Sequence, residues 1–95
     1  NGSQDAGHSA YPEHTLTIRV HAPCWLEVQT QDGKRLAYTL LAAGSVRTFH
    51  SREPLNVLIG DSRAVEITID GKPFHPPGAG SARIVRFQVG GSHPQ

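Results

Sequence analysis

The sequence has few of the features that mark several large classes of protein. Its single cysteine, Cys24, excludes an internal disulfide but does not fix the redox compartment. No apolar run approaches the length of a membrane span and no signal peptide is present, so any membrane anchor is expected outside this sequence. Nine basic and eight acidic side chains leave a net charge of +1. The basic residues form no stripe with interleaved aromatics, so nucleic acid is not expected as a partner.

The composition indicates one small domain that is rich in turns. Ninety-five residues fit a single domain, and a hydrophobic fraction of 37% is modest. Ten glycines and seven prolines favour short strands over helices. A chain of this size can bury one small core, which leaves little room for a buried active site.

Alternating apolar residues predict about seven strands, separated by turns at roughly ten-residue intervals. Two of the predicted strands form a hairpin over residues 24–41, and the others are residues 15–21, 45–50, 55–59, 65–70 and 82–89. This all-β pattern is typical of a small antiparallel β-sandwich. The predicted domain covers residues 15–89, with a disordered linker or tag remnant over residues 1–14 and a flexible tail over residues 90–95.

The clearest single element is a hairpin around Asp32-Gly33. A two-residue loop would leave both faces of the hairpin half apolar, so we predict a three-residue loop with Gly33 as a bulge residue. In that register the core face holds Cys24, Leu26, Val28, Leu36, Tyr38 and Leu40. The opposite face holds Trp25, Glu27, Gln29, Arg35, Ala37 and Thr39.

Trp25 is the one residue for which a functional interpretation competes with a structural one. A tryptophan on an outer sheet face suits contact with a protein or stacking on a sugar ring. Cover by a loop or by the second sheet would instead make it structural. Two leucines at positions off the alternating pattern, Leu41 and Leu58, are candidates to join it in an apolar patch. The candidate interaction surface is Trp25, Glu27, Gln29, Thr39 and Leu41.

No residue pattern indicates catalysis, a metal site or a bound cofactor. The segment 60–64 lacks the second glycine of a nucleophile elbow, and residues 78–80 are not followed by the Lys-Ser/Thr of a phosphate loop. Cys24, on the apolar face, is expected to pack as a small hydrophobic side chain rather than act as a nucleophile. Three histidines near strand ends or loops match no zinc spacing: His21, His50 and His75.

Five segments carry a family likeness: Cys24-Trp25-Leu26-Glu27-Val28, Asp32-Gly33, Leu40-Leu41-Ala42-Ala43-Gly44, Pro54-Leu55-Asn56-Val57-Leu58-Ile59-Gly60-Asp61 and Val65-Glu66-Ile67-Thr68-Ile69-Asp70-Gly71-Lys72-Pro73. In order and spacing they resemble the C-terminal periplasmic domain of the RodZ family of bacterial cell-shape proteins. The likeness covers about residues 15–89. Asp61 stands where the family pattern often has asparagine, and both residues suit a turn.

The resemblance implies a non-catalytic interaction domain on the periplasmic side of the inner membrane, held there by a single transmembrane helix. RodZ-like proteins contact the actin-like protein MreB through a cytoplasmic helix-turn-helix domain, which would lie outside this sequence. The domain would link that cytoskeleton to the cell-wall elongation machinery, whose envelope proteins are the expected partners. The alternative is a small carbohydrate-binding sandwich that reads peptidoglycan, with Trp25 stacking on a sugar ring.

Overall fold

The computed structural model describes residues 12–91 and confirms the all-β antiparallel sandwich. Its strands are β1 (His14–Val20), β2 (Cys24–Thr30), β3 (Arg35–Leu41), β4 (Val46–Ser51), β5 (Leu55–Ile59), β6 (Val65–Ile69), β7 (Lys72–Phe74) and β8 (Val85–Val89). A short 3-10 helix, Ser62–Ala64, precedes β6. No helix within the described range is long and apolar enough to cross a membrane. The predictions made for residues 1–11 and 92–95 lie outside the described residues.

The strands form two four-stranded sheets that pack face to face. The first sheet has the order β4-β1-β6-β7 and the second the order β3-β2-β5-β8, with every pairing antiparallel. The alternation of β1 and β2 sends their apolar residues between the sheets, as predicted. The largest fully buried side chains of this core are Leu16, Ile18, Leu26, Leu55, Ile59, Val20 and Val28.

The turn of the central hairpin forms as predicted. The backbone N–H of Thr30 donates to the carbonyl of Lys34 at 2.8 Å, and the N–H of Gly33 donates to the carbonyl of Thr30 at 2.9 Å. Gly33 has a φ of +97°, the left-handed conformation that the bulged three-residue loop requires. The Thr30 hydroxyl donates to the carboxylate of Asp32, which holds the pKa of Asp32 below its usual range.

The predicted register of that hairpin is wrong beyond its first residues. Gln29 pairs with Arg35 but Val28 pairs with Ala37, so Leu36 is an extra residue in β3. Side chains alternate with a period of two, and one extra residue therefore exchanges the faces of the rest of the strand.

The extra residue changes which β3 side chains reach the core. Ala37 and Leu41 face inward and are buried, and Thr39 lies on the same face of the strand. Tyr38 and Leu40, predicted to be core residues, point outward instead. Leu36 itself is half-buried and packs against the edge of the core. The sheet therefore presents more apolar surface outside than the predicted register allowed.

The far end of the sandwich contains a strand that the sequence pattern did not indicate. Asp70 and Gly71 both have positive φ, +55° and +82°, which makes a two-residue hairpin turn between β6 and β7. β7 is only three residues long, but it places Phe74 against Phe87 of β8, with 5.0 Å between ring centroids. Both phenylalanine side chains are partly buried and pack against the core. β8 is also shorter than the predicted strand over residues 82–89.

Candidate interaction face

The outer surface of the second sheet carries Trp25 and the exposed Tyr38, and we call it the aromatic face. Strand register places three rows of side chains across it. The apolar side chains of this face lie mainly on the β3 side, and the polar side chains lie near the hairpin turn and on β8. The aromatic face consists of Trp25, Glu27, Gln29, Arg35, Tyr38, Leu40, Asn56, Leu58, Arg86 and Gln88.

Trp25 lies at the centre of the apolar part of this face and is half-buried by its neighbours. Its indole Nε1 donates to Oε2 of Glu27 at 2.8 Å, which satisfies the one polar atom of the ring. Leu40 stands opposite Trp25 in the β2–β3 register. Trp25 therefore keeps only part of its surface exposed, on the outer face of the sheet beside Leu40.

Tyr38 extends the apolar surface beside Trp25. The two rings meet edge to face, with centroids 5.2 Å apart and planes at 82°. The guanidinium of Arg35 lies over the ring of Tyr38, with its Cζ 4.1 Å from the centroid of that ring. Tyr38 is nevertheless 49% exposed and Leu40 62% exposed. Large apolar side chains held in place yet open to solvent are typical of contact surfaces.

Gly60 creates the space in which Trp25 sits. The residue follows β5, and its backbone N–H donates to the carbonyl of Trp25 at 2.9 Å. A Cβ atom at this position would lie 3.0 Å from Cβ of Trp25 and 3.4 Å from the Trp25 backbone N and O. A larger residue would therefore require Trp25 or the end of β5 to shift by a few tenths of an ångström.

A shallow groove of about 440 Å³ runs along the polar part of the aromatic face. Side chains from three strands line it: Glu27, Gln29, Asn56, Val57, Leu58, Arg86 and Phe87. Carboxylate, amide and guanidinium groups there give both hydrogen-bond donors and acceptors. The aromatic face therefore combines an apolar centre with a polar groove.

The structure brings together three of the five residues that the sequence placed on the candidate interaction surface. Trp25, Glu27 and Gln29 lie on the aromatic face. Leu41 does not, because the extra residue in β3 turns it into the core, and Thr39 shares its inward face. Tyr38 and Leu40 are surface residues that the sequence pattern did not predict. Nothing in the alternation of β3 indicates a bulge at Leu36 in addition to the bulge at Gly33.

The core, a helix cap and a strand hold three residues that could in principle act as a nucleophile or as metal ligands: Cys24, Asp61 and His14. Cys24 is buried in the core. Asp61 caps the short 3-10 helix by accepting a hydrogen bond from the N–H of Arg63 at 3.1 Å, so the segment 60–64 is a turn. Within residues 12–91, no three histidine, cysteine or acidic side chains are grouped so that they could hold a metal ion. His14, expected in the tail, is the first residue of β1 and contacts Asp70 at 2.6 Å.

These features define a small antiparallel β-sandwich with a solvent-exposed aromatic face, a structural or interaction module. The family model of the RodZ C-terminal domain matches residues 17–88. The chain therefore belongs to the RodZ C-terminal domain family and represents a domain of a RodZ-like cell-shape protein. This is a family of structural or interaction domains that is not known for catalysis. No solved structure is a significant match to the chain.

Proposed function

We propose that this domain is a non-catalytic interaction module on the periplasmic side of the bacterial inner membrane, anchored there by a single-pass helix in the full-length protein. In this role it links the MreB cytoskeleton, contacted by a cytoplasmic domain of the same protein, to the cell-wall elongation machinery. Membership of the RodZ C-terminal domain family supports a role in cell shape. The observation that carries the proposal is the aromatic face.

The aromatic face has the composition of a protein-contact surface. Tryptophan, tyrosine and arginine are the residues most enriched at the energetic centres of interfaces. Here Trp25, Tyr38 and Arg35 pack on one another, so little side-chain freedom remains to be lost on binding. Polar side chains surround them, as at the rim of an interface. An envelope protein of the elongation machinery is the proposed partner.

Chemical-shift mapping tests this proposal. The labelled domain is titrated with ectodomains of the elongation machinery, and shifts are expected at residues of the aromatic face. Tyr38→Glu should weaken binding by at least tenfold, because it introduces a charge at the contact centre. Thr48→Glu is the matched control, since Thr48 is exposed on the outer face of the first sheet. If no ectodomain shifts any resonance, the proposed interaction function is wrong.

The location and the role in cell shape need the full-length protein. Alkaline phosphatase fused after the domain should be active, because that enzyme folds only outside the cytoplasm. Full-length protein with Tyr38→Glu should fail to restore rod shape to cells that lack their own copy, whereas Thr48→Glu should restore it. An inactive fusion would contradict the periplasmic location, and full rescue by Tyr38→Glu would contradict the role of the aromatic face.

The polar groove favours a second candidate function, binding of peptidoglycan glycan. Sugar sites combine an aromatic ring with planar polar side chains. The groove holds Gln29, Asn56 and Arg86 on the same face of the sheet as Trp25, which does not itself line the groove. Arg86 suits a carboxylate on the glycan or its peptide. In this alternative, peptidoglycan fragments shift or quench the fluorescence of Trp25, the sole tryptophan. Asn56→Ala should abolish the response, and unchanged fluorescence with saturating fragments would exclude it.

A further inference from the structure

Basic side chains are concentrated in one part of the chain. Between Asp32 and Glu53 the sequence contains no acidic residue. Four of the nine basic residues fall in this interval: Lys34, Arg35, Arg47 and Arg52. The interval contains β3, β4 and the turn that joins them, with Lys34 just before β3 and Arg52 just after β4. A nearly neutral chain therefore carries a local positive charge on these two strands.

Both of these strands are edge strands. β3 is the outermost strand of the second sheet and β4 the outermost strand of the first. Among residues 12–91, no strand pairs with β3 on the side away from β2, or with β4 on the side away from β1. By contrast, the opposite edge of the first sheet is β7, which has only three residues and contains Pro73. Edge strands are usually protected by short length, proline, charged side chains or a bulge. In β3 the charge of Arg35 and the bulge at Leu36 lie at the start of the strand, and residues 37–41 continue beyond them without proline.

The backbone of β3 directs hydrogen-bonding groups to its outer side. The carbonyl of Trp25 accepts from Gly60 on the β5 side, so the backbone groups of Trp25 point away from β3. Its partner Leu40 is then in a non-hydrogen-bonded pair, and its N–H and C=O point to the outer edge. Tyr38 lies two residues before Leu40, so its N–H and C=O also point to the outer edge. An added strand would find two donors and two acceptors there.

The same two strands expose apolar side chains. Of the four large apolar side chains that are exposed among the described residues, three lie on β3 and β4: Tyr38, Leu40 and Val46. Two guanidinium groups rest on neighbouring rings, Arg35 on Tyr38 at 4.1 Å and Arg47 on Phe49 at 5.4 Å. Val46 lies on the outer face of the first sheet, whereas Tyr38 and Leu40 lie beside the outer backbone groups of β3.

We propose that the outer edge of β3 receives an extended segment of another protein as an added strand, and that this segment alternates acidic with apolar side chains. The proposal rests on the proposed interaction function and specifies its partner. Apolar side chains of the added strand would cover Tyr38 and Leu40 on the outer face. The acidic ones, on its opposite face, would point between the sheets towards Arg47, which pairs with the buried Ile18. A second copy of this chain is a poorer occupant, because two edges of the same charge repel.

The test uses the 95-residue chain and an acetylated, amidated peptide of alternating glutamate and valine, with a lysine–valine peptide as control. Amide shifts at millimolar glutamate–valine peptide are expected in β3. Arg47→Glu should weaken binding by at least tenfold, whereas Lys72→Glu, on the opposite edge strand of the first sheet, should not. Leu40→Pro should abolish pairing by removing an edge N–H, and Leu40→Thr, which keeps the N–H, should weaken it less.

Several results would overturn the proposal. They are the absence of β3 shifts with the acidic peptide, equal binding of the lysine peptide, and shifts confined to the groove around Arg86. Concentration-dependent self-association through β3 without peptide would identify a second copy as the occupant and would overturn it too. If an envelope ectodomain binds the aromatic face while the acidic peptide does not bind β3, this inference fails and the proposed interaction function stands.

Discussion

Leu40 and Leu41 are neighbours in the chain but lie on opposite sides of the second sheet. Leu40 is 62% exposed, whereas Leu41 is 7% exposed and belongs to the core. A regular hairpin built on the observed turn would reverse these positions. The bulge at Leu36 is the cause, because it moves every later residue of β3 by one position relative to β2.

Separate substitutions of Leu40 and Leu41 test which of the two leucines is buried. Leu41→Thr removes buried apolar area and buries a hydroxyl, so it should lower the free energy of unfolding by roughly 2–4 kcal/mol. Leu40→Thr, on the surface, should change it by less than about 0.5 kcal/mol. Urea denaturation of both variants provides the comparison. Equal losses, or a larger loss for Leu40→Thr, would contradict the observed register.

The turn and the faces of β1 and β2 could be predicted from sequence because their determinants are local. Asp32-Gly33 gives the left-handed residue that the loop needs, and strict alternation fixes which side chains point inward. The bulge at Leu36 has no such local signal. It depends on how Ala37 and Leu41 fit beneath the other sheet, which is a tertiary property.

The candidate site was predictable only as far as β2. Trp25 and Glu27 were placed outward correctly by alternation, whereas the outward positions of Tyr38 and Leu40 depended on the bulge.

β7 was missed for a different reason. Asp70-Gly71 carries the same hairpin signal as Asp32-Gly33, but the strand after it has three residues and contains Pro73, too little for a periodic pattern.

Deleting Leu36 should remove the bulge without exchanging the faces. Gln29 would still pair with Arg35 and Val28 with Ala37, now as consecutive pairs. The variant should lose about 1 kcal/mol, the contribution of a partly buried leucine. Leu36→Ala is the control, because it loses the same side chain but keeps the bulge. Near-ultraviolet circular dichroism should retain the Trp25–Tyr38 signal in both variants, and its loss in the deletion alone would contradict the observed pairing of Val28 with Ala37.

Gly60→Ala should displace Trp25. The added methyl would lie 3.0 Å from Cβ of Trp25, inside ordinary contact distance, so Trp25 or the end of β5 must shift by a few tenths of an ångström. We expect a loss of about 1–3 kcal/mol in stability and a red shift of tryptophan emission as the ring becomes more exposed. Unchanged emission would show that the sheet absorbs the methyl group without moving the indole.

Gly71→Ala is the matched comparison, because its cost has a different origin. No atom lies within 4 Å of a Cβ placed there, but φ is +82°, which L-residues adopt only with strain. The variant should lose about 1–2 kcal/mol without any change in tryptophan emission. Gly71→Asn should lose less, since asparagine tolerates this conformation. Equal losses for alanine and asparagine would contradict a purely conformational cost.

The link between β1 and the β6–β7 turn should make stability depend on pH. The pKa of Asp70 lies below its usual range, because Nδ1 of His14 donates to its carboxylate at 2.6 Å and the N–H of Thr15 donates at 2.9 Å. A carboxyl whose pKa is lower in the folded protein stabilises the fold above its unfolded-state pKa, near 3.8. That contribution is lost as the pH falls through the lower, folded-state pKa.

Asp70→Asn isolates this effect, because asparagine tolerates the positive φ of the position but carries no charge. Wild type should be more stable than the variant at pH 6, and the difference should shrink as the pH falls below about 3.8. Thermal unfolding of both proteins from pH 2 to pH 7 measures the difference. His14→Ala should remove most of it, since the histidine is the largest cause of the shift. A difference that stays constant over this range would show that Asp70 acts through turn geometry and not through its charge.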